Sequence, residues 1–424
     1  MSTSHANESP DLQERITALI SEGDVPTLEA MLEGLHPSDI ADVVESLDDE
    51  LRLALVRALP TDLASETLAE MEEGEVRADL LTTLAPAEGA ELLHELSDDD
   101  ATDLVGELAP ETQDRLLAEL PTDEAGDIRD LLQYDQETAG GIMTTSLVSV
   151  LGHITAGEAI EAVREQGREV EDFYTVFVVD EQTKLLGTVP LDDLILSDTG
   201  SRIGELVLPA VASVLPDADQ EQVGHMIARY NLASIPVVSD DGVLLGRVTF
   251  DDVIDVIEAE STEDLLLFSG VSEDEELRGS SLDAVRARLP WLLLNTMTAS
   301  LAASVVWWFR SEIAAATLLA VVMPVVAGLG GNAGQQALAV TVRRLATSAG
   351  PLEARGPVVG KEIRVALFNG GAIGVLVAAG AALLAFAMGT DVRLGLVVLM
   401  AMWGNIAMAG FAGSFIPTFL DRMG

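Results

Sequence analysis

The 424-residue sequence contains no cysteine, which excludes disulfides and cysteine-ligated zinc and leaves the redox compartment open. Positive charge is scarce: 23 Lys and Arg stand against 71 Asp and Glu, for a net charge of −48. Phosphate contacts need clustered Lys and Arg, so no nucleic-acid partner is expected. The five histidines are scattered, and neither a nucleophile–base pairing nor a P-loop is present, which argues against an enzyme. No apolar stretch near Met1 reads as a signal peptide. The shortage of positive charge is also uneven. Residues 1–289 hold 15 basic and 66 acidic side chains, whereas the remainder holds eight and five. Self-repulsion of that size needs compensation by salt, by divalent cations or by both. A halophile-type solvated surface would account for much of the acidity, so composition alone assigns no carboxylate as a ligand.

What is present falls into four parts: 1–132, 133–257, 258–289 and 290–424. Residues 12–132 read as short helices in a loose repeat. Leu35-His36-Pro37-Ser38-Asp39, Leu59-Pro60-Thr61-Asp62, Leu84-Ala85-Pro86-Ala87-Glu88, Leu108-Ala109-Pro110-Glu111 and Leu120-Pro121-Thr122-Asp123 are successive helix starts. Proline suits a first turn that needs no N–H partner, and the acid that follows favours the positive end of the helix. Such helices stack into a superhelix, which presents surfaces rather than catalytic pockets. Residues 139–257 carry a duplication. The stretch from Tyr174 matches the stretch from Ala233 at an offset of 59 residues. Each copy has a β-branched strand, a turn, a second strand and a helix opened by an Asp pair, and an amphipathic helix precedes it. This resembles a tandem CBS pair, an α/β ligand-sensing module. The resemblance implies a ribose contact from a Thr and an Asp three residues later. Thr249 and Asp252 match, whereas Pro190 breaks the pattern in the first copy, so the resemblance leaves ATP binding at the CBS pair as one option. On the residues themselves, Thr249 can equally end a strand and Asp252 cap a helix.

An acidic helix follows from Asp251 to Phe268, and then a polar linker over Ser269–Gly279. From Pro290 come four uncharged runs, 290–309, 313–342, 365–390 and 394–420, each long enough to span a membrane. Arg343, Arg344, Arg355, Lys361 and Arg364 lie between the second and third. That loop is expected on the cytoplasmic side, together with residues 1–289. The second run holds MPVVAGLGGNAGQQ, Met323 to Gln336. Its proline and four glycines predict a broken helix near mid-membrane, tolerated only where it is buried in protein or lines a wet cavity. Packing of small residues between helices is the competing reading.

An acidic superhelix, a CBS pair, an acidic connecting helix and spans bearing Gly330-Gly331-Asn332-Ala333-Gly334-Gln335-Gln336 together resemble the MgtE family of magnesium channels. Ala139-Gly140-Gly141-Ile142-Met143-Thr144, Arg288-Leu289-Pro290-Trp291-Leu292 and Phe415-Ile416-Pro417 support the resemblance. The fold it implies is multidomain: an all-α N-terminal superhelix, the α/β CBS pair, the acidic connecting helix and an all-α transmembrane bundle. The activity it implies is a homodimeric, Mg2+-selective pore in the cell membrane, closed when cytosolic Mg2+ is high. The sensor positions carried over are Asp99, Asp103, Asp219, Glu221, Ala228 (through its carbonyl), Asp252, Asp255, Glu260, Glu263 and Asp264. The pore positions are Gly331, Asn332, Gly334, Gln335 and Gln336. Asn231 stands where the family often has Asp, and Gln335 where it usually has Asn. The family's pore carboxylate belongs to a fifth span, and no carboxylate is expected inside the four runs here. The expectation is a sequence that stops short of that span. The alternatives are a membrane-anchored cation sensor without conduction and a channel for another divalent ion such as Co2+.

Overall fold

The computed structural model describes residues 9–22, 25–32, 34–72, 74–168, 170, 173–271, 281–346, 357–420 and 422–423. Most of the linker expected over Ser269–Gly279, and Arg355 of the basic loop, lie outside them. The chain divides into two compact units, Met1–Ala287 and Arg288–Gly424.

In the first unit the Leu-x-Pro signals become helix starts. The helices are α1 (Ser9–Glu22), α2 (Val25–Leu32), α3 (Pro37–Ser46), α4 (Asp49–Ala58), α5 (Thr61–Ala69), α6 (Glu75–Thr83), α7 (Pro86–His94), α8 (Asp98–Gly106), α9 (Pro110–Leu117) and α10 (Glu124–Leu131). Proline occupies the first turn of α3, α7 and α9, and Pro60 precedes α5. Odd-numbered helices pack on odd from α1 to α9, and α2 on α4 on α6. That is the stacking of a superhelix, with one leucine-rich core running along it. A buried ion pair between Arg77 and Glu107 ties α6 to the end of α8, with the Arg77 Nε–H donating to Glu107 at 3.1 Å.

The duplicated region forms two related hairpins. The first sheet holds β1 (Ser149–Leu151), β2 (Thr175–Val179) and β3 (Leu185–Pro190), with β1 parallel and β3 antiparallel to β2. The second pairs β4 (Ser234–Val238) antiparallel with β5 (Leu244–Thr249). β4 and β5 stand 59 residues after β2 and β3. Equivalent residues also meet: Lys184 bridges Val243, its counterpart in the other copy. Helix α11 (Ala156–Gln166) precedes the first hairpin; α12 (Leu191–Leu196) and the short α13 (Ile203–Leu206) follow it. Helix α14 (Gln220–Tyr230) precedes the second hairpin, and α15 (Phe250–Ser269) leaves it. The 20-residue α15 is continuous, so the acidic connecting helix is the direct extension of the second copy.

The second unit is built from α16 (Ser281–Trp308), α17 (Arg310–Ala315), α18 (Thr317–Ala346), α19 (Pro357–Ala387) and α20 (Leu394–Leu420). Helix α16 begins in the first unit and supplies its apolar part to the second. Four stretches are long and apolar enough to cross a membrane: Ala284–Trp308, Thr317–Leu345, Val359–Ala387 and Leu394–Leu420. Two sequence expectations are corrected here. First, α18 runs unbroken through Pro324 and the glycines. A glycine costs about 1 kcal/mol in a helix interior, which packing against a neighbouring helix can offset. Second, the third span starts earlier than the uncharged run and takes in Glu362, which is buried. Its flanking Lys361 and Arg364 are exposed, so charge in the sequence concealed a buried carboxylate.

Candidate functional site

Two helix starts meet where the superhelix joins the CBS pair. Helix α8 opens with Asp98, Asp99 and Asp100 in its first turn, and α15 opens with Asp251 and Asp252. Acids suit helix N-termini, where the backbone N–H groups and the helix dipole favour negative charge. Asp98 clamps the junction. One carboxylate oxygen accepts from the Thr145 N–H at 2.9 Å and from the Thr145 hydroxyl, and the other accepts from the Thr144 hydroxyl. This holds α8 to the segment that enters the first CBS copy. Asp100 accepts from the Ser97 hydroxyl at 2.8 Å.

Asp99 draws some hydrogen-bond support from Ser97, but only on one side. Its Oδ1 is sealed from solvent and takes no hydrogen bond among the described residues. Burial, and then the charges of Asp252 and Asp100, hold its carboxyl well above the ordinary carboxylate range. Burial pushes Asp252 up to about 6, against hydrogen bonds from the Thr249 hydroxyl and N–H, with Asp251 and Asp100 adding repulsion. Asp100 is raised by burial, then by Glu70, partly relieved by Ser97 and Arg77. Asp255 is raised by burial, then by Glu70 and Glu258. A sealed carboxylate oxygen with no donor, among acids that repel it, is a costly arrangement unless a cation or proton joins it.

The remaining sensor candidates separate into places. Asp219 caps α14, accepting from the Glu221 N–H at 2.9 Å. α14 packs on α15, with Gly224 against Val253 and Ile257, and the Gln220 side chain donates to Glu260 at 2.8 Å. Asp219, Glu221 and Glu260 therefore share one end of the α14–α15 pair. Glu263 lies about one turn further along α15; the Asp264 side chain lies outside the described set. Ala228 is near the other end of α14, about 13 Å from Asp219 along the axis, and lies level with the first turn of α15. The structure does not bring it to Glu221. Asn231 closes α14 in the left-handed conformation, φ +52°, which Asn tolerates well. Asp103 lies one turn beyond Asp99 on α8 and is half-buried. Among the described residues, no three His, Asp or Glu side chains converge closely enough to cage a metal ion.

Asp252 is also half of the Thr–Asp pair expected to meet a nucleotide, and its observed role is local. It is bonded to Thr249 at the start of α15, the helix-capping arrangement.

In the second unit the glycine-rich motif has two faces. Gly330, Gly334 and Ala337 are turned toward α20, and Thr341 is buried about one turn further on. A β-carbon at Gly330 would overlap the Asn405 amide, whose Nδ2 donates to the Val326 carbonyl at 2.7 Å. Gly413 of α20 lies against the Gly334 carbonyl and Ala337. Asn332, Gln335 and Gln336 share the opposite, exposed face with Gly331. Packing and a free amide face thus coexist in one helix, and Gly334 belongs to the packing side. Asn405 and Asp98 escaped the sequence reading. Asn405 sits in an uncharged run with no motif around it, and Asp98 is one of three successive acids with nothing local to mark partners 46 and 47 residues away.

Family models match along the chain: the MgtE intracellular N domain over residues 35–137, the CBS domain over 139–198 and 203–259, and a divalent cation transporter domain over 323–424. The magnesium transporter MgtE of Enterococcus faecalis is 36% identical over 99% of this chain and 92% of its own length. The chain belongs to the MgtE magnesium transporter family. The MgtE of Thermus thermophilus is 33% identical over 96% of this chain and 90% of its own. Among solved structures, the soluble part of a magnesium transporter aligns with a TM-score of 0.54 at 32% identity, over 60% of this chain and 99% of that one. The cytosolic domain of the Mg2+ channel MgtE in complex with ATP aligns with a TM-score of 0.55 at 34% identity, over 57% and 99%. MgtE membership makes this a membrane transporter of divalent cations rather than an enzyme, with Mg2+ as the implied cargo.

Proposed function

We propose that the chain acts as a homodimeric, Mg2+-selective channel whose cytosolic acids sense Mg2+ and close the pore. The observation that carries this reading is the sealed, unpartnered Oδ1 of Asp99 beside Asp252. A hydrated Mg2+ would be held there by Asp99 and Asp252, with Asp103 and Asp255 nearby on the same helices. A second site would use Asp219, Glu221, Glu260, Glu263 and Asp264, and Ala228 would lend its carbonyl separately, toward the start of α15. Ion binding replaces repulsion between carboxylates by attraction to one cation. It biases the protein toward the closed form only by its differential affinity for that form. Asn332, Gln335 and Gln336, with Gly331 and Gly334, are the residues proposed along the pore. The working division is superhelix 1–132, CBS pair 133–257, connecting segment 258–289 and transmembrane domain 290–424.

Support for ATP comes from the ATP complex of the related cytosolic domain and from Thr249 and Asp252. On this reading a nucleotide at the second copy competes for the Thr249–Asp252 bond and alters the sensor.

The test is protease protection of α15 in the full chain at fixed high ionic strength. Mg2+ is expected to protect it, and changing Asp99, Asp252, Glu260 and Glu263 to their amides to abolish protection, while amides at Asp192 and Asp193 leave it. Equal protection by monovalent salt would reduce the acids to a screened surface. Mg2+ and Co2+ flux into liposomes, with and without Asn332→Ala, separates a selective channel from a channel for another ion and from a non-conducting sensor.

A further inference from the structure

Glu362 is the one carboxylate buried within the membrane-spanning stretches of the described residues, at 7% exposure. It takes no hydrogen bond or ion pair from the described residues. Its surroundings follow from the register of α19 against α20. Gly374 packs on Leu399 and Met402, Gly370 on Trp403 and Ile406, and a β-carbon at Gly410 would collide with Ala366. The helices are antiparallel, so one further turn brings Glu362 level with Ser414. The Glu362 carbonyl already lies 3.8 Å from where a Gly410 β-carbon would be.

The buried stripe of α20 changes character along its length. It runs Gly395, Val398, Met402, Ile406 and Gly410, then ends in Ser414 and Thr418. Helix α18 runs parallel to α20, with Ala337 at Gly413, so the fully buried Thr341 comes level with Thr418. Each of these hydroxyls donates its proton to its own helix: Thr341 to the Ala337 carbonyl at 2.7 Å, Ser414 to Gly410 at 2.8 Å, and Thr418 to Ser414 at 2.7 Å. What the three oxygens offer outward is lone pairs. Glu362, when ionised, likewise only accepts. At this level of the three helices the register therefore offers hard oxygen acceptors and one negative charge, each hydroxyl proton being committed to its own helix. The Glu362 carboxylate oxygens are not among the sealed, unpartnered side-chain atoms, which among the described residues are Asp99 Oδ1 alone, so they reach open space from which an ion can approach. Arg364 and Lys361 are exposed on the same helix, and the Arg364 Nε–H donates to the Gly360 carbonyl at 3.0 Å.

We propose that Glu362, with the hydroxyl oxygens of Thr341, Ser414 and Thr418, forms a station for a hydrated divalent cation at the Arg/Lys-bearing end of the transmembrane bundle. It goes beyond the sensor and the amide face, and rests on the transport reading only for the identity of the ion. One carboxylate and a few neutral oxygens suit Mg2+, which keeps several waters and leaves easily from so incomplete a shell.

The chain has no native cysteine, so a single nitroxide can be attached at Val365→Cys, an exposed position about 4.5 Å along the axis from Glu362. With the full chain in lipid nanodiscs, Mn2+ serves as the paramagnetic probe. Broadening of the nitroxide signal is expected at low Mn2+, reversed by Mg2+ and not by K+ at equal ionic strength. Glu362→Gln is expected to weaken the Mn2+ midpoint at least tenfold and Glu362→Asp less, while Asp192→Asn with Asp193→Asn leaves it unchanged. No broadening, or broadening that survives Glu362→Gln, overturns the proposal; loss with Asn332→Ala alone would place the ion at the amide face instead. If Glu362→Gln does not assemble, Ser414→Ala with Thr418→Val keeps the charge and removes two oxygens. That pair is expected to weaken the midpoint at least threefold, and an unchanged midpoint overturns the station. Failure here leaves the Asp99–Asp252 sensor standing, because α15 protection reads the first unit alone.

Discussion

The two CBS copies share their strands residue for residue at an offset of 59, yet they end differently. In the first copy Pro190 precedes a six-residue helix, α12, which stops at Ser197-Asp198-Thr199-Gly200. The Ser197 N–H and hydroxyl both bond the Leu194 carbonyl there, the turn chemistry that competes with a helix. In the second copy Thr249 leads a 20-residue helix whose continuation, Glu258-Ala259-Glu260, is strongly helix-forming. Val253 and Val256 bury one side of it, with Val253 against α14. The acids of the first copy, Asp192 and Asp193, are exposed, whereas Asp252 meets the first turn of α8. The copies teach that a duplicated hairpin gathers buried, mutually repelling acids where a second helix start is brought against it.

The largest expected effect breaks the comparison at those acids. Asp252→Asn is expected to lower the apparent Mg2+ affinity of the full chain at least tenfold in thermal unfolding at fixed ionic strength. Asp193→Asn, its counterpart, is expected to leave it within twofold. Equal losses would mean that Mg2+ acts on total charge and that the copies do not differ.

The next effect is on pH. Asp252 is raised to about 6 from an ordinary carboxylate value near 4, so between these values the folded protein holds more protons than the unfolded chain. Stability without divalent cations therefore rises as pH falls through about 6 and levels off below the ordinary range. A gain on the order of 1–2 kcal/mol is expected between pH 7.5 and 4.5, the Asp99 shift acting in the same direction. Denaturant titrations across this range check it. Asp252→Asn is expected to flatten the profile, and Asp193→Asn to leave its slope.

A smaller difference concerns the helix starts. Thr249→Ala removes a hydroxyl that bonds Asp252 and is expected to cost about 1 kcal/mol, whereas Pro190→Ala is expected to cost less than about 0.5 kcal/mol. In equilibrium dialysis, Thr249→Ala is expected to weaken ATP several-fold and Pro190→Ala not at all. An ATP loss confined to Pro190→Ala would move the nucleotide to the first copy.

The smallest effect is in the turns. Gly242 and its counterpart Thr183 both have positive φ, +80° and +57°. Only glycine adopts this without steric cost. Gly242→Thr is expected to destabilise by about 1 kcal/mol and Thr183→Gly to stabilise by somewhat less, both read from denaturant midpoints. Nothing within 4 Å would crowd a β-carbon at Gly242, so the cost there isolates the backbone conformation.

Much of this protein is settled along the chain itself. Helix starts at Leu-x-Pro, the 59-residue duplication and four apolar stretches each depend on neighbours within a few residues, so periodicity and turn chemistry suffice to read them. The family resemblance follows from the order of those parts. Tertiary structure decided what a side chain meets. It placed Asp98 against Thr144 and Thr145, 46 and 47 residues away, and left the Asp99 Oδ1 sealed. It kept α18 helical through its glycines, because an amide 79 residues on, Asn405, bonds the Val326 carbonyl and α20 closes over Gly330. It buried Glu362 while exposing Lys361 and Arg364 beside it. Local pattern sets which elements form. Burial and the repulsion between distant carboxylates depend on which helix ends meet, and no window of sequence contains both.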